Sequence, residues 1–198
     1  MKVAEQRSSK EQVIAFVITG DGRTEQKILS AIAEKYNGKH KLLLFPKSSI
    51  SKKTGLGTLK SVNVIHKLTE HSRFLILIDR EHFDRHKLKR VLSETFKTYT
   101  LIDENPYVIT SGNIEIYLVI LGERIAVEEH IAALIELEFG MDLRGDMDDI
   151  KELKSKIMTF IRTMGIKNYR NLIRNANIEN VEKSFQPLVE VLKLLEKS

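Results

Sequence analysis

Residues 13–19 form a continuous apolar run rich in β-branched side chains, the pattern of a strand covered on both faces in a parallel sheet. The run stops at Gly20-Asp21-Gly22. From Thr24, read as an N-cap, the spacing turns helical: Ile28, Leu29, Ile32 and Tyr36 share one face, and Asn37-Gly38 supplies the stop. Residues 41–45, ending at Pro46, and 73–79 predict two further apolar strands. Between them, 47–60 is a loop rich in Ser, Gly and Lys that leads into a short helix.

Residues 84–97 predict an amphipathic helix with Leu88, Val91, Leu92 and Phe96 inward and Arg85, Lys89 and Arg90 outward. The apolar stretch 107–122 is interrupted at Ser111-Gly112-Asn113 and then alternates through Ile114, Ile116, Leu118 and Ile120. Beyond Ile125 only helical patterns occur: 125–139 stopped by Gly140, 147–164 stopped by Gly165, 168–175, and 179–197 broken or restarted at Pro187. Strands alternating with helices imply βαβ units, hence a Rossmann-like three-layer α/β sandwich with a mainly parallel central sheet. That domain is expected over 1–122, followed by a helical C-terminal extension or subdomain over 123–198.

Composition removes some chemistries. The chain of 198 residues has no cysteine, which excludes disulfides, thiolate metal sites and a cysteine nucleophile, so any metal must sit on oxygen or imidazole. The first apolar run is far shorter than the roughly 20 residues of a membrane span, which predicts a soluble, cytoplasmic protein without a membrane partner. A net charge of +5 favours polyanionic partners, DNA or RNA, without demanding one, and is compatible with a homo-oligomer. The charge is uneven: residues 123–149 are strongly acidic, whereas 151–174 hold seven basic residues against Glu152. This pair reads either as solvated helix faces that neutralise each other or as a nucleic-acid contact surface.

Carboxylates at predicted strand ends carry the candidate chemistry. Asp21 and Glu25 stand in the turn Gly20-Asp21-Gly22-Arg23-Thr24-Glu25, where open α/β sheets bind ligands. The turn is neither a dinucleotide fingerprint nor a P-loop, and its acids suit a hard cation. Asp79-Arg80-Glu81, with Asp84 behind it, ends another strand, and two carboxylates two apart can converge on one divalent ion. The plainer alternative makes Asp79 a helix cap and Glu81 a surface residue. His82 and His86, four apart, read as surface histidines near a site rather than as ligands. Glu115, inside an apolar run, must be paired, bind a cation or face water.

Together these motifs resemble the Toprim superfamily, specifically the small stand-alone Toprim-like proteins related to OLD-type nucleases. Asp21-Gly22-Arg23-Thr24-Glu25 is similar to the family's E-G-x-T-E turn, Asp79-Arg80-Glu81 to its D-x-D, and Glu115-Ile116-Tyr117 to its E-x-W-like segment. The resemblance covers residues 13–121. Asp21 is one methylene shorter than the family's catalytic glutamate and Glu81 replaces its last aspartate. Both keep the charge but move it by roughly an ångström, which threatens catalysis more than metal binding.

What the resemblance implies is phosphodiester chemistry. Asp21 and Glu25 would be catalytic; Mg²⁺ or Mn²⁺ would sit on Asp79, Glu81 and Asp21; Glu115 and Asp84 would be secondary candidates; and Arg23, Lys47, Lys52 and Lys53 would contact phosphates. A metal-dependent nuclease is the leading expectation. The alternatives are a non-catalytic module binding nucleic acid or protein, and a small nucleotide or phosphate hydrolase.

Overall fold

The computed structural model describes residues 1–20, 23–36, 38, 40–45, 54–144 and 149–197. In chain order the elements are β1 (Lys2–Ala4), β2 (Gln12–Thr19), α1 (Arg23–Ala33), β3 (Lys41–Leu44), α2 (Val62–Thr69), β4 (Arg73–Asp79), α3 (Arg85–Thr95) and β5 (Thr100–Ile102). There follow β6 (Tyr107–Ser111), β7 (Ile114–Leu121), α4 (Glu128–Phe139), α5 (Ile150–Thr163), α6 (Tyr169–Asn175), α7 (Ile178–Ser184) and α8 (Gln186–Lys197). Short 3-10 segments, Gly55–Ser61 and Arg80–His82, precede α2 and follow β4.

Among the described residues, seven strands form one sheet in the order β1-β3-β2-β4-β7-β6-β5. The pairs from β1 to β7 are parallel, and β6 and β5 extend the sheet antiparallel to their neighbours. The expected class, α/β with a mainly parallel sheet, is the observed one.

The period of two along each strand separates the core into two layers. On β4, Phe74, Ile76 and Ile78 face α2, α3 and the segment Gly55–Ser61, together with Phe16, Ile116 and Leu118. Leu75 and Leu77 face the other way, with Val17, Val119 and Leu121, into a cluster built from α1 and α4 to α8. Residues 123–197 therefore have no separate core. They supply most of one helical layer of the sandwich and share its apolar cluster with α1 and the sheet. Among the described residues no helix is long and apolar enough to cross a membrane.

Differences from the expected boundaries have local causes. Helix α1 starts at Arg23, so Thr24 lies inside its first turn rather than capping it. Helix α4 starts at Glu128 instead of 125, because the backbone N–H groups of 123–126 are drawn onto the Glu129 carboxylate. Pro187 stands at the second position of α8, where its missing N–H costs nothing. Strands β1 and β5, of three residues each, were not expected.

Candidate functional site

The register fixes which ends meet. Thr19 pairs with Leu77, and Asp79 pairs with Leu121, so the C-termini of β2, β4 and β7 lie side by side on one edge. Gly20 N–H donates to the Leu77 carbonyl at 2.8 Å and carries the chain out beside β4. Three acids expected at the site, Glu25, Asp79 and Glu81, come together here: all line one pocket of about 320 Å³, with His82, Glu128 and Lys154.

Each side chain is held by its own element. Glu25, on the first turn of α1, is buried at 4% exposure. Asp79 ends β4, and its Oδ1 accepts the Val127 N–H at 3.2 Å, which ties the strand end to the start of α4. Glu81 is exposed; its backbone N–H donates to the Ile125 carbonyl at 2.8 Å, and its carboxylate lies 3.6 Å from His82 Nε2. Gly55 adopts φ +52°, and a Cβ there would stand 3.1 Å from His82 Cβ, so glycine lets the 3-10 segment pack against the histidine.

Glu128 is the site residue that sequence reasoning missed. It is 4% exposed, and Lys154 Nζ of α5 sits 3.3 Å from its Oε1. An acid at a helix start shortly after an apolar strand is the signal that was present, but the adjacent Glu129 made both look like ordinary first-turn acids. Glu129 instead turns away from the pocket to accept the N–H groups of residues 123–126.

Other expected residues stand elsewhere. Asp84 is exposed and caps α3, its Oδ1 accepting the Lys87 N–H at 2.6 Å, so the carboxylate is spent on a helix end and does not line the pocket. His86 is exposed on α3, also away from the pocket. Glu115 lies at the opposite edge of the sheet, because it pairs with Arg73 at the start of β4, six residues from Asp79 and thus roughly 20 Å away. There it accepts from Arg73 Nε at 2.8 Å and from the Tyr117 hydroxyl at 2.9 Å. Burial, reinforced by that hydrogen bond and the carboxylate charge, pushes the Tyr117 phenol up to about 12. Asp21, Lys47, Lys52, Lys53 and the side chain of Arg23 lie outside the described residues.

The basic stretch 151–174 is partly neutralised by the acids it meets. Lys154 stands on Glu128, Lys156 on Glu152 at 3.0 Å, and Arg170 and Arg174 both on Glu34 of α1. In the 47–60 segment, Lys60 pairs with Glu94 at 2.6 Å.

Four carboxylates around one pocket, with one ammonium between them, make a negative site. Among the described residues no three His, Asp or Glu side chains are grouped closely enough to enclose a metal ion. The donor chemistry still fits Mg²⁺ or Mn²⁺, since these ions take oxygen ligands, and Mg²⁺ is commonly held by one or two carboxylates with water and phosphate completing the shell. Searches against protein-family models, curated proteins and solved structures found no match to this chain.

Proposed function

We propose that this chain is a Mg²⁺- or Mn²⁺-dependent nuclease, or a related phosphodiester-transfer enzyme acting on nucleic acid, on a Toprim-like domain. The observation that carries the reading is the convergence of Glu25, Asp79, Glu81 and Glu128 on one pocket beyond the C-terminal ends of parallel strands. Clustered carboxylates repel one another, and a divalent cation relieves the repulsion while drawing in a phosphate.

Asp79 and Glu81 would hold the ion; Asp21, the third ligand suggested by the sequence, lies outside the described residues. When bound, the ion would neutralise charge developing on the phosphate oxygens. Glu25, buried beside Asp79, is the base that takes a proton from the attacking water. Lys154, anchored on Glu128, presents an ammonium at the pocket wall and balances the approaching phosphate. The Val127 N–H fixes the Asp79 carboxylate, so one of its oxygens is oriented before any ligand arrives.

Incubation with single-stranded and duplex DNA and RNA, with and without Mg²⁺ or Mn²⁺, tests the proposal. Metal-dependent cleavage that falls about a hundredfold or more in Asp79→Asn and in Glu25→Gln is expected. No cleavage of any strand with either ion overturns it: retained binding then favours the non-catalytic module, and hydrolysis confined to free nucleotides favours the hydrolase.

A further inference from the structure

The turn Arg80–His82 separates the carboxylate pocket from a larger cavity of about 420 Å³ on the same sheet edge. Arg80 lines this second cavity directly after Asp79 lines the first, and the α7–α8 junction contributes Lys183, Ser184 and Gln186.

Its chemistry is opposite to that of its neighbour. Arg80 and Lys183 are exposed cations, and neither has an ion-pair partner among the described residues. The Arg80 guanidinium lies over the Phe83 ring, 5.4 Å from its centroid, which steadies it without using its hydrogen-bond donors. Glu123 also lines the cavity and sets a limit on how much negative charge it takes. Ser184 is only 5% exposed, and its buried Oγ finds no hydrogen-bond partner among the described residues. A hydroxyl left in that state calls for a ligand or an ordered water. The N-terminal end of α8, a helix of 12 residues, borders the same space through Gln186 and Pro187 and adds partial positive charge. Tyr107, which lines it too, is held in its phenol form by burial and by Asp103, so it can donate.

We infer that this cavity is a subsite for a phosphate-bearing nucleotide of the substrate strand, next to the phosphate presented to the carboxylate pocket, with Arg80 and Lys183 on the phosphate. The inference rests on the nuclease reading for the identity of the strand. The volume supports a nucleotide over a bare anion, since it falls within the roughly 300–1,000 Å³ of small-molecule sites.

The test is binding without metal, by calorimetry in EDTA, of three probes: a 5′-phosphorylated thymidine dinucleotide, the same dinucleotide without the 5′-phosphate, and inorganic phosphate. The phosphorylated dinucleotide should bind best, and Arg80→Ala and Lys183→Ala should each weaken it about tenfold, the loss of one charge-assisted contact. Lys97→Ala, the same charge change outside the cavity, should leave binding unchanged. Equal binding by the native chain and both cavity variants, or inorganic phosphate binding as tightly as the phosphorylated dinucleotide, overturns the subsite. Failure of the nuclease reading shows separately, as absent metal-dependent cleavage by a chain whose metal-free binding still depends on Arg80 and Lys183.

Discussion

At Glu129 a single carboxylate accepts the backbone N–H groups of Glu123, Arg124, Ile125 and Ala126, the best contacts running from 2.9 to 3.3 Å. It thereby shapes the link from β7 to α4, whose Val127 N–H holds Asp79 and whose Ile125 carbonyl accepts from Glu81. Gly122 makes the tight start possible: at φ +89° any Cβ would fall 2.5 Å from the Ala126 carbonyl oxygen. Glu129→Ala leaves those donors without their acceptor, so urea denaturation should show a loss of about 1–3 kcal/mol, and Mg²⁺-dependent cleavage should fall with it. A second residue sets a pH dependence. Burial holds the His130 imidazole below its ordinary 6.5, although the Ser184 backbone and the charges of Glu123 and Glu129 push back. A base whose folded pKa is depressed stabilises the fold fully above the unfolded value and loses that contribution as pH falls through the folded one. Urea midpoints measured from pH 7.5 to 5 should therefore drop in the native chain, by at most about 1.4 kcal/mol per pH unit from this one proton. In His130→Gln, which keeps an acceptor for the Gly122 N–H, the curve should be flatter.

Among the elements, α3 shows how a carboxylate near a site can belong to the fold. Asp84→Ala removes the acceptor of the Lys87 N–H, and a cap of this type is worth about 0.5–2 kcal/mol. Thermal melts should register that loss, while the Mg²⁺ binding proposed at Asp79, followed by calorimetry, should not change. From sequence, Asp84 and Glu81 looked alike because both follow a strand; only the path of the turn separates a cap from a pocket acid. Strands β2 and β4 were legible because both their faces are buried, which demands continuous apolar runs, whereas β7 was read from the alternation of Ile114, Ile116, Leu118 and Ile120. The outer strands β1 and β5 lie at the two edges of the sheet, where three residues need no apolar signature. Glu115 was misplaced for a related reason. Its motif spacing is local, but which end of β7 it occupies relative to Asp79 depends on the parallel register with β4. Glu128 shares a pocket with Glu25 because α4 and α1 contribute to one apolar cluster, a tertiary arrangement that its place at a helix start does not reveal.

Across the whole molecule, one apolar cluster joins the sheet, α1 and the C-terminal helices. Ile157 of α5 is fully buried within it, so Ile157→Ala should cost about 2–5 kcal/mol. The decisive readout is cooperativity: far-ultraviolet circular dichroism and tyrosine fluorescence should shift together as one transition, since Tyr117 of the sheet belongs to the same cluster. Two separated transitions would make the C-terminal helices an independent subdomain. The site shares this arrangement, because Lys154 reaches Glu128 from α5.

That shared cluster also governs the order of events at the ribosome. When β7 has left the exit tunnel, the sheet face carrying Leu75, Leu77, Val119 and Leu121 still waits for helices that have not been made. Translation must run on through Leu188 and Leu192 of α8 before the whole face is covered. Until then the nascent chain carries an apolar strip open to water, the kind of surface on which trailing chains of a polysome aggregate and to which chaperones bind.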